Sequence, residues 1–254
     1  MDSKKILKYW EETGKKGKTT MPDFNFKEVE IEAISKTIEA YVKYINKNPI
    51  VADVGCGKGE STEVFSQIVG EGNICGMDYS TEMIKQAKNN YPKIQFYTSD
   101  ITTFNFSKMF DIVITERCLI NLPNWKEKQK ALMHIYNMLK PNGIFIMMEC
   151  SKQGLDKLNQ LRLLFGLKED KVVEFNEFFD EIQFANFITK YFDIISIKRF
   201  GIYNLISKVV HPALVSPKEP EYKHRINKIA ASLYGEVPEI DVGQNIMYVL
   251  RVKK

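Results

Sequence analysis

The 254-residue sequence is poor in the residues that build metal knots, disulfide frameworks and membrane spans. Its four cysteines, Cys56, Cys75, Cys118 and Cys150, show no Cys-x-x-Cys spacing, so no zinc pattern is expected and the thiols read as reduced packing residues. No apolar run approaches the roughly 20 residues of a membrane-spanning helix. No signal-peptide stretch follows Met-Asp-Ser-Lys-Lys, so a cytoplasmic protein without a membrane partner is expected. Lys and Arg number 36 against 32 Asp and Glu, a net charge of +4 with no dense basic block. That is too little to argue for a nucleic-acid partner. There is no internal repeat and no low-complexity tract, and nothing points to a particular oligomeric state.

What the sequence has is concentrated in residues 50–60, Ile-Val-Ala-Asp-Val-Gly-Cys-Gly-Lys-Gly-Glu. The apolar run reads as a strand buried on both faces. Gly55, Gly57 and Gly59 follow at alternate positions, and without a Cβ they let the backbone turn and approach a ligand closely. The segment from Glu60 then starts a helix whose free N–H groups face the same point. Asp78 ends the next apolar segment, Asn73–Asp78. An acidic residue about 20 positions beyond the glycines suits the hydroxyls of a ribose.

The surrounding pattern divides into four regions. Residues 1–48 hold an amphipathic piece around Ile6, a polar stretch from Gly14, and a helix over 26–48 with Val29, Ile31, Ile34, Ile38 and Ile45 near helical spacing. Residues 49–150 alternate strands (50–54, 73–78, 94–98, 110–115, 143–149) with helices, the one over 125–140 opened by Asn124 and Glu127 as a capping box. Such alternation implies an α/β fold, a parallel sheet covered on both faces. Beyond it come helices over 153–165 and 172–190, a strand near 193–200, a long link over 201–243 with a helical stretch around 222–234, and a last strand over 245–252. A connection of that length in a compact fold is usually functional or disordered, and an ordered cap is expected.

Asp53-Val-Gly-Cys-Gly-Lys-Gly closely resembles the first motif of class I S-adenosylmethionine-dependent methyltransferases. Asp78, Ser99-Asp100-Ile101, Phe110–Thr115 and Leu139-Lys-Pro-Asn-Gly-Ile-Phe-Ile follow in that family's order. The resemblance implies a Rossmann-like sheet of seven mostly parallel strands with the last antiparallel, in one methyltransferase domain over 1–254. Within it, 1–48 would be an N-terminal lid and helix, 49–150 the cofactor core, 151–244 substrate-facing helices and cap, and 245–254 the last strand. It also implies S-adenosyl-L-methionine as cofactor, with S-adenosyl-L-homocysteine as product. Asp53, Gly55, Cys56, Gly57, Asp78, Tyr79, Met83, Ser99, Asp100, Ile101 and Glu116 would surround it.

The acceptor is less legible. The Asn/Asp-Pro-Pro-aromatic signature of base-amino methylation is absent, as are a Pro-Cys nucleophile and the carboxylate cluster of metal-dependent catechol methylation. Small-molecule oxygen or nitrogen methylation remains, an in-line displacement that needs positioning rather than a metal or a covalent nucleophile. The leading expectation is O-methylation of a small polar metabolite. Glu116 and Arg117 read either as a substrate-orienting carboxylate with an anion-holding guanidinium or as an internal ion pair. Of three histidines, His211 in the cap is the candidate base, while His134 and His224 read as structural and solvated. The stretch Trp10–Asp23 resembles an N-terminal lid, with which Tyr9, Lys18, Thr19 and Met21 would close over cofactor and substrate; the alternative is a chain end with its lysines in solvent. Asn159 and Arg162 share a helical spacing and, with Tyr203, complete the acceptor candidates. A narrower resemblance over residues 116–212, to bacterial methyltransferases of capsule and surface-polysaccharide gene clusters, implies a sugar or a phosphorylated or phosphoramidate precursor. The alternatives are N-methylation of an amine or of RNA, a nicotinamide oxidoreductase, and a non-catalytic cofactor-binding subunit.

Overall fold

The apolar runs and amphipathic segments form a seven-stranded sheet flanked by helices. The computed structural model describes residues 3–16, 21–103 and 109–253. In chain order, α1 (Ser3–Lys15) and α2 (Phe24–Ile45) lead into β1 (Val51–Val54), α3 (Glu60–Val69), β2 (Ile74–Asp78), α4 (Thr81–Asn90) and β3 (Gln95–Thr98). Next come β4 (Phe110–Glu116), α5 (Trp125–Met138), β5 (Leu139–Cys150), α6 (Lys152–Leu164), α7 (Glu181–Ile188) and β6 (Phe192–Arg199). Helices α8 (Gly201–Leu205), α9 (His211–Val215) and α10 (Arg225–Ser232) precede β7 (Asn245–Val252).

The strand order is β3-β2-β1-β4-β5-β7-β6. All pairs are parallel except those of β7, which runs antiparallel between β5 and β6. The expected fold is present. Alternation along the strands explains it: Ala52, Val54 and Val113 pack into one apolar layer, while Val51, Ile112 and Ile114 pack into the other. Both sheet faces are therefore covered. The order reverses between β1 and β4, which opens a crevice at the carboxyl ends of β1, β2 and β4.

Two boundaries in particular differ from expectation. β5 begins at Leu139, which pairs with Phe110 before the register shifts and Ile144 pairs with Ile112. Pro141 lacks an N–H and Asn142 has φ 64°, so the irregularity sits where the ladder tolerates it. The helix expected over 172–190 is confined to α7, because Asp180 accepts from the Gln183 N–H at 2.8 Å and starts the helix there. Between α6 and α7, residues 168–179 form a pinned loop. The link 201–243 is ordered as α8, a π turn (Ile206–Val210), α9 and α10, and α10 packs against α2. No described helix is long and apolar enough to cross a membrane.

Candidate functional site

A cavity of about 740 Å³ opens at the crevice, within the usual range of roughly 300–1,000 Å³ for ligand pockets. Its floor is the glycine turn. Gly55, Gly57 and Gly59 all have positive φ, at 81°, 54° and 82°. A Cβ on Gly55 would collide with Cys118 at 2.5 Å, whereas one on Gly57 would meet nothing within 4 Å. Gly55 is thus needed for packing, and Gly57 leaves a bare stretch of backbone facing open space. That is the cradle a ligand would fill.

Acidic groups ring the cradle. Asp78 Oδ2 accepts from the Gly57 N–H at 3.0 Å and Oδ1 from the Ser80 N–H at 2.9 Å. Burial pushes its carboxyl up to about 6, against the pull of those backbone donors, so it is mostly ionised at neutral pH and keeps lone pairs for hydroxyl donors. Asp53 is 2% exposed and accepts from Thr62 Oγ1 at 2.5 Å. Burial is the main reason its carboxyl rises to about 7. Asp100 Oδ1 turns its loop by accepting from the Thr102 N–H (2.8 Å) and hydroxyl (2.7 Å). Tyr79, Met83, Ser99 and Ile101 complete this wall, and the Tyr79 hydroxyl is buried without a partner.

Helix α1 closes one side. Glu11 accepts from the first two N–H groups of α4, Thr81 at 2.7 Å and Glu82 at 3.3 Å, and Gln86 holds the Gly14 carbonyl. This seats Ile6, Leu7, Tyr9 and Trp10 in the cavity wall, with the Tyr9 ring 4.4 Å from Phe175 of the pinned loop.

Another side of the cavity is built from α2, the end of β4 and the helices between β6 and β7. Tyr203 donates to Asp23 Oδ1 at 2.7 Å, and both line the cavity although only 3% and 5% exposed. Glu116 Oε2 accepts from Ser61 Oγ at 2.7 Å, and its Oε1 lies 3.2 Å from Arg117 Nη2. Glu30, fully buried on α2, lies 3.4 Å from the same nitrogen. Arg117 therefore forms the internal ion pair, and it also lines the cavity. The loop after β4 is held from beneath: Glu149 accepts from the N–H groups of Cys118, Leu119 and Ile120 at 3.2, 2.9 and 3.2 Å. The buried Lys128 holds the Glu177 carbonyl while the Glu177 N–H donates to Ile120 O at 2.7 Å.

Several expected residues fall elsewhere. His211 is absent from the cavity wall. It is buried in the cap with its ring 4.5 Å from that of His224, and burial lowers its pKa and keeps it neutral. A base role for His211 is corrected on that ground. Asn159 and Arg162 do not face the cavity either. Asn159 exchanges hydrogen bonds with the backbone of Asp170 at 3.1 and 2.8 Å, and Arg162 donates to the carbonyls of Lys168 (2.8 Å) and Lys208. Their polar ends are spent in tying the pinned loop and the cap to α6. Lys18 and Thr19 lie outside the described residues. Glu30 and Asp23 escaped the sequence reading. Glu30 carried a signal, since Phe26, Glu30, Ile34 and Ile38 recur every fourth residue along a buried face.

Residues 51–143 match the methyltransferase-domain family. That match is a similarity over little more than a third of the chain. A protein of Invertebrate iridescent virus 6 named as methyltransferase 235L is 41% identical over 96 residues, 38% of this chain and 35% of its own. Trans-aconitate 2-methyltransferase of Escherichia coli is 33% identical over 94 residues, covering 37% and 36%. The chain thus spans about a third of the length of these curated relatives. Magnesium protoporphyrin IX methyltransferase from Synechocystis, solved with bound S-adenosylhomocysteine, matches across 99% of this chain and 100% of its own, with a TM-score of 0.63 and 14% identity. That likeness is one of fold alone, and it runs over almost the whole length of the chain.

Proposed function

We propose that this protein is an S-adenosyl-L-methionine-dependent methyltransferase that places the methyl group on an oxygen of a small polar acceptor. One observation carries the reading: Gly57, whose missing Cβ leaves open space, is hydrogen-bonded to Asp78 at the switch point of the sheet. The cavity then continues from that cradle to Asp23, Arg117 and Tyr203. S-adenosyl-L-methionine supplies an electrophilic methyl carbon when bound. In this reading Asp78 accepts the ribose hydroxyls and Ser99, Asp100 and Ile101 border the adenine. Asp53 and the Gly55–Gly57 backbone take the amino-acid end, where cationic and anionic groups need both acceptors and donors.

Helix α1 and the cap exclude water from the reacting pair, and the chain's main contribution is to hold it in line. The Asp23–Tyr203 pair is the hydroxyl-binding group on the acceptor side and takes over the place expected for His211. The names of the relatives support a small-molecule acceptor. The resemblance of residues 116–212 to methyltransferases of surface-polysaccharide gene clusters supports a sugar or a phosphorylated or phosphoramidate precursor. The four unpaired cysteines suit a cytoplasmic site of action.

The test is transfer of a labelled methyl group from S-adenosyl-L-methionine to a broad panel of sugars, nucleotide sugars, hydroxy acids and amines. An oxygen-methylated small product is expected. Methylation on nitrogen alone would replace the oxygen assignment, and S-adenosylhomocysteine binding without transfer to any member would favour a non-catalytic cofactor-binding subunit.

A further inference from the structure

Arg117 is unusual in two independent respects. Its φ is 50°, a left-handed conformation that is strained for a residue with a side chain and tends to persist at functional sites. Its ion pairing is also incomplete. Nη2 faces both Glu116 and Glu30, Nη1 meets only the sulfur of Met21, and Nε has no hydrogen-bond partner. Neither carboxyl oxygen of Glu30 makes a hydrogen bond. A buried pair retained for stability would need good geometry and satisfied groups, since each unmet buried donor or acceptor is destabilising. This pair is a poor clamp, and it stands at the cavity wall with a fifth of the Arg117 side chain accessible.

The surroundings explain which charges remain. Glu30 is packed in α2 with no exposure, and the charged groups facing it are Arg117, Glu116 and Glu149 from the β4 and β5 ends and Asp23 from the start of its own helix. Burial, reinforced by the three carboxylates and opposed by Arg117, pushes Glu30 up to about 8. At neutral pH it is mainly a carboxylic acid, so the guanidinium's close ionic partner is Glu116, which is shared with Ser61. Lys208, 3.4 Å from Asp170, adds a second cation to the same wall.

We propose that Arg117, backed by Glu30, recognises an anionic group on the methyl acceptor, which therefore carries a phosphate or a carboxylate. The inference rests on the methyltransferase reading for the statement that the occupant is the acceptor. A planar guanidinium that lines the cavity and is partly accessible suits either anion in two-point fashion. Ionised Glu30 would compete for the same nitrogens, so anion binding should weaken as Glu30 loses its proton.

The experiment follows the Arg117 side-chain Nε–H resonance of the full chain, saturated with S-adenosylhomocysteine. Methyl phosphate and acetate are titrated separately, at pH 7 and pH 9. One of the two is expected to shift that resonance saturably and to bind about tenfold more weakly at pH 9, the change that ionisation of a group near pH 8 allows. Glu30→Gln should bind the same anion with that pH dependence gone. Arg117→Gln, which has no such side-chain resonance and is followed by the backbone amide resonances of Cys118 and Leu119, should lose it, and Arg117→Lys, followed in the same way, serves if Arg117→Gln does not fold. Failure of both anions to shift the wild-type resonance overturns the proposal, and so does undiminished anion binding by both Arg117 variants. The affinity for S-adenosylhomocysteine, measured on the same samples, separates this outcome from failure of the methyltransferase reading. Absence of such binding by the wild type would count against that reading instead.

Discussion

Tyr203 donates a hydrogen bond to Asp23 at 2.7 Å and so ties the cap, across 180 positions of chain, to the first turn of α2. The same carboxylate oxygen accepts from the Phe26 N–H at 3.3 Å, so Asp23 is both N-cap and anchor. Tyr203→Phe is expected to cost about 2 kcal/mol, the worth of a buried hydrogen bond to a charged group. Asp23→Ala should cost about 1 kcal/mol more through the lost cap. Urea unfolding measures both; equal losses would show that the cap contributes nothing.

Gly55 and Gly57 make a paired test of the cradle. Gly57→Ala meets no atom within 4 Å, so it should cost only the roughly 1–2 kcal/mol of a left-handed alanine while abolishing S-adenosylhomocysteine binding. Gly55→Ala collides with Cys118 and should lower the thermal midpoint further. If Gly57→Ala binds as tightly as wild type, the open space beside it is not where the ligand sits.

Glu11 holds α1 across the start of α4. Removing its carboxylate strips partners from two helix N-terminal donors, an effect of about 1 kcal/mol. Glu11→Ala should speed S-adenosylhomocysteine release several-fold in stopped flow and expose α1 to proteolysis. Unchanged release would mean that α1 does not close over the cofactor.

The ligand-free protein should lose stability as pH rises. Burial raises Asp78 to about 6, Asp53 and Glu149 to about 7, and Glu30 to about 8. Each holds its proton in the folded state over an interval in which the unfolded chain has released it, so stability falls between roughly pH 5 and pH 8. His211, lowered by burial, acts in the opposite sense, but it is one group against four. Thermal midpoints across this range should decline, and Asp53→Asn should flatten the decline. A midpoint that climbs from pH 5 to pH 8 would contradict the assignment.

The cofactor half was legible because its physics is local. A strand buried on both faces must be apolar throughout, a tight turn at its end must be glycine, and the acidic residue falls at the tip of the next strand. The acceptor half is assembled from distant segments, where local pattern says little. Asp23 lay in a polar stretch, and Glu30 was one glutamate among several in a helix. Asn159 and Arg162 had the right spacing, yet only the tertiary structure shows that backbone carbonyls consume them. His211 seemed a base because it lay in the cap, but the cap turns it inward against His224.

The most direct test of the central claim is calorimetric titration of S-adenosylhomocysteine into wild type and Asp78→Ala at pH 7.5. The wild type is expected to bind, and the variant to bind roughly a hundredfold more weakly, the loss of about 3 kcal/mol expected for hydrogen bonds to a charged carboxylate, while keeping its fold. No binding to the wild type, or equal affinity for both proteins, would contradict the account.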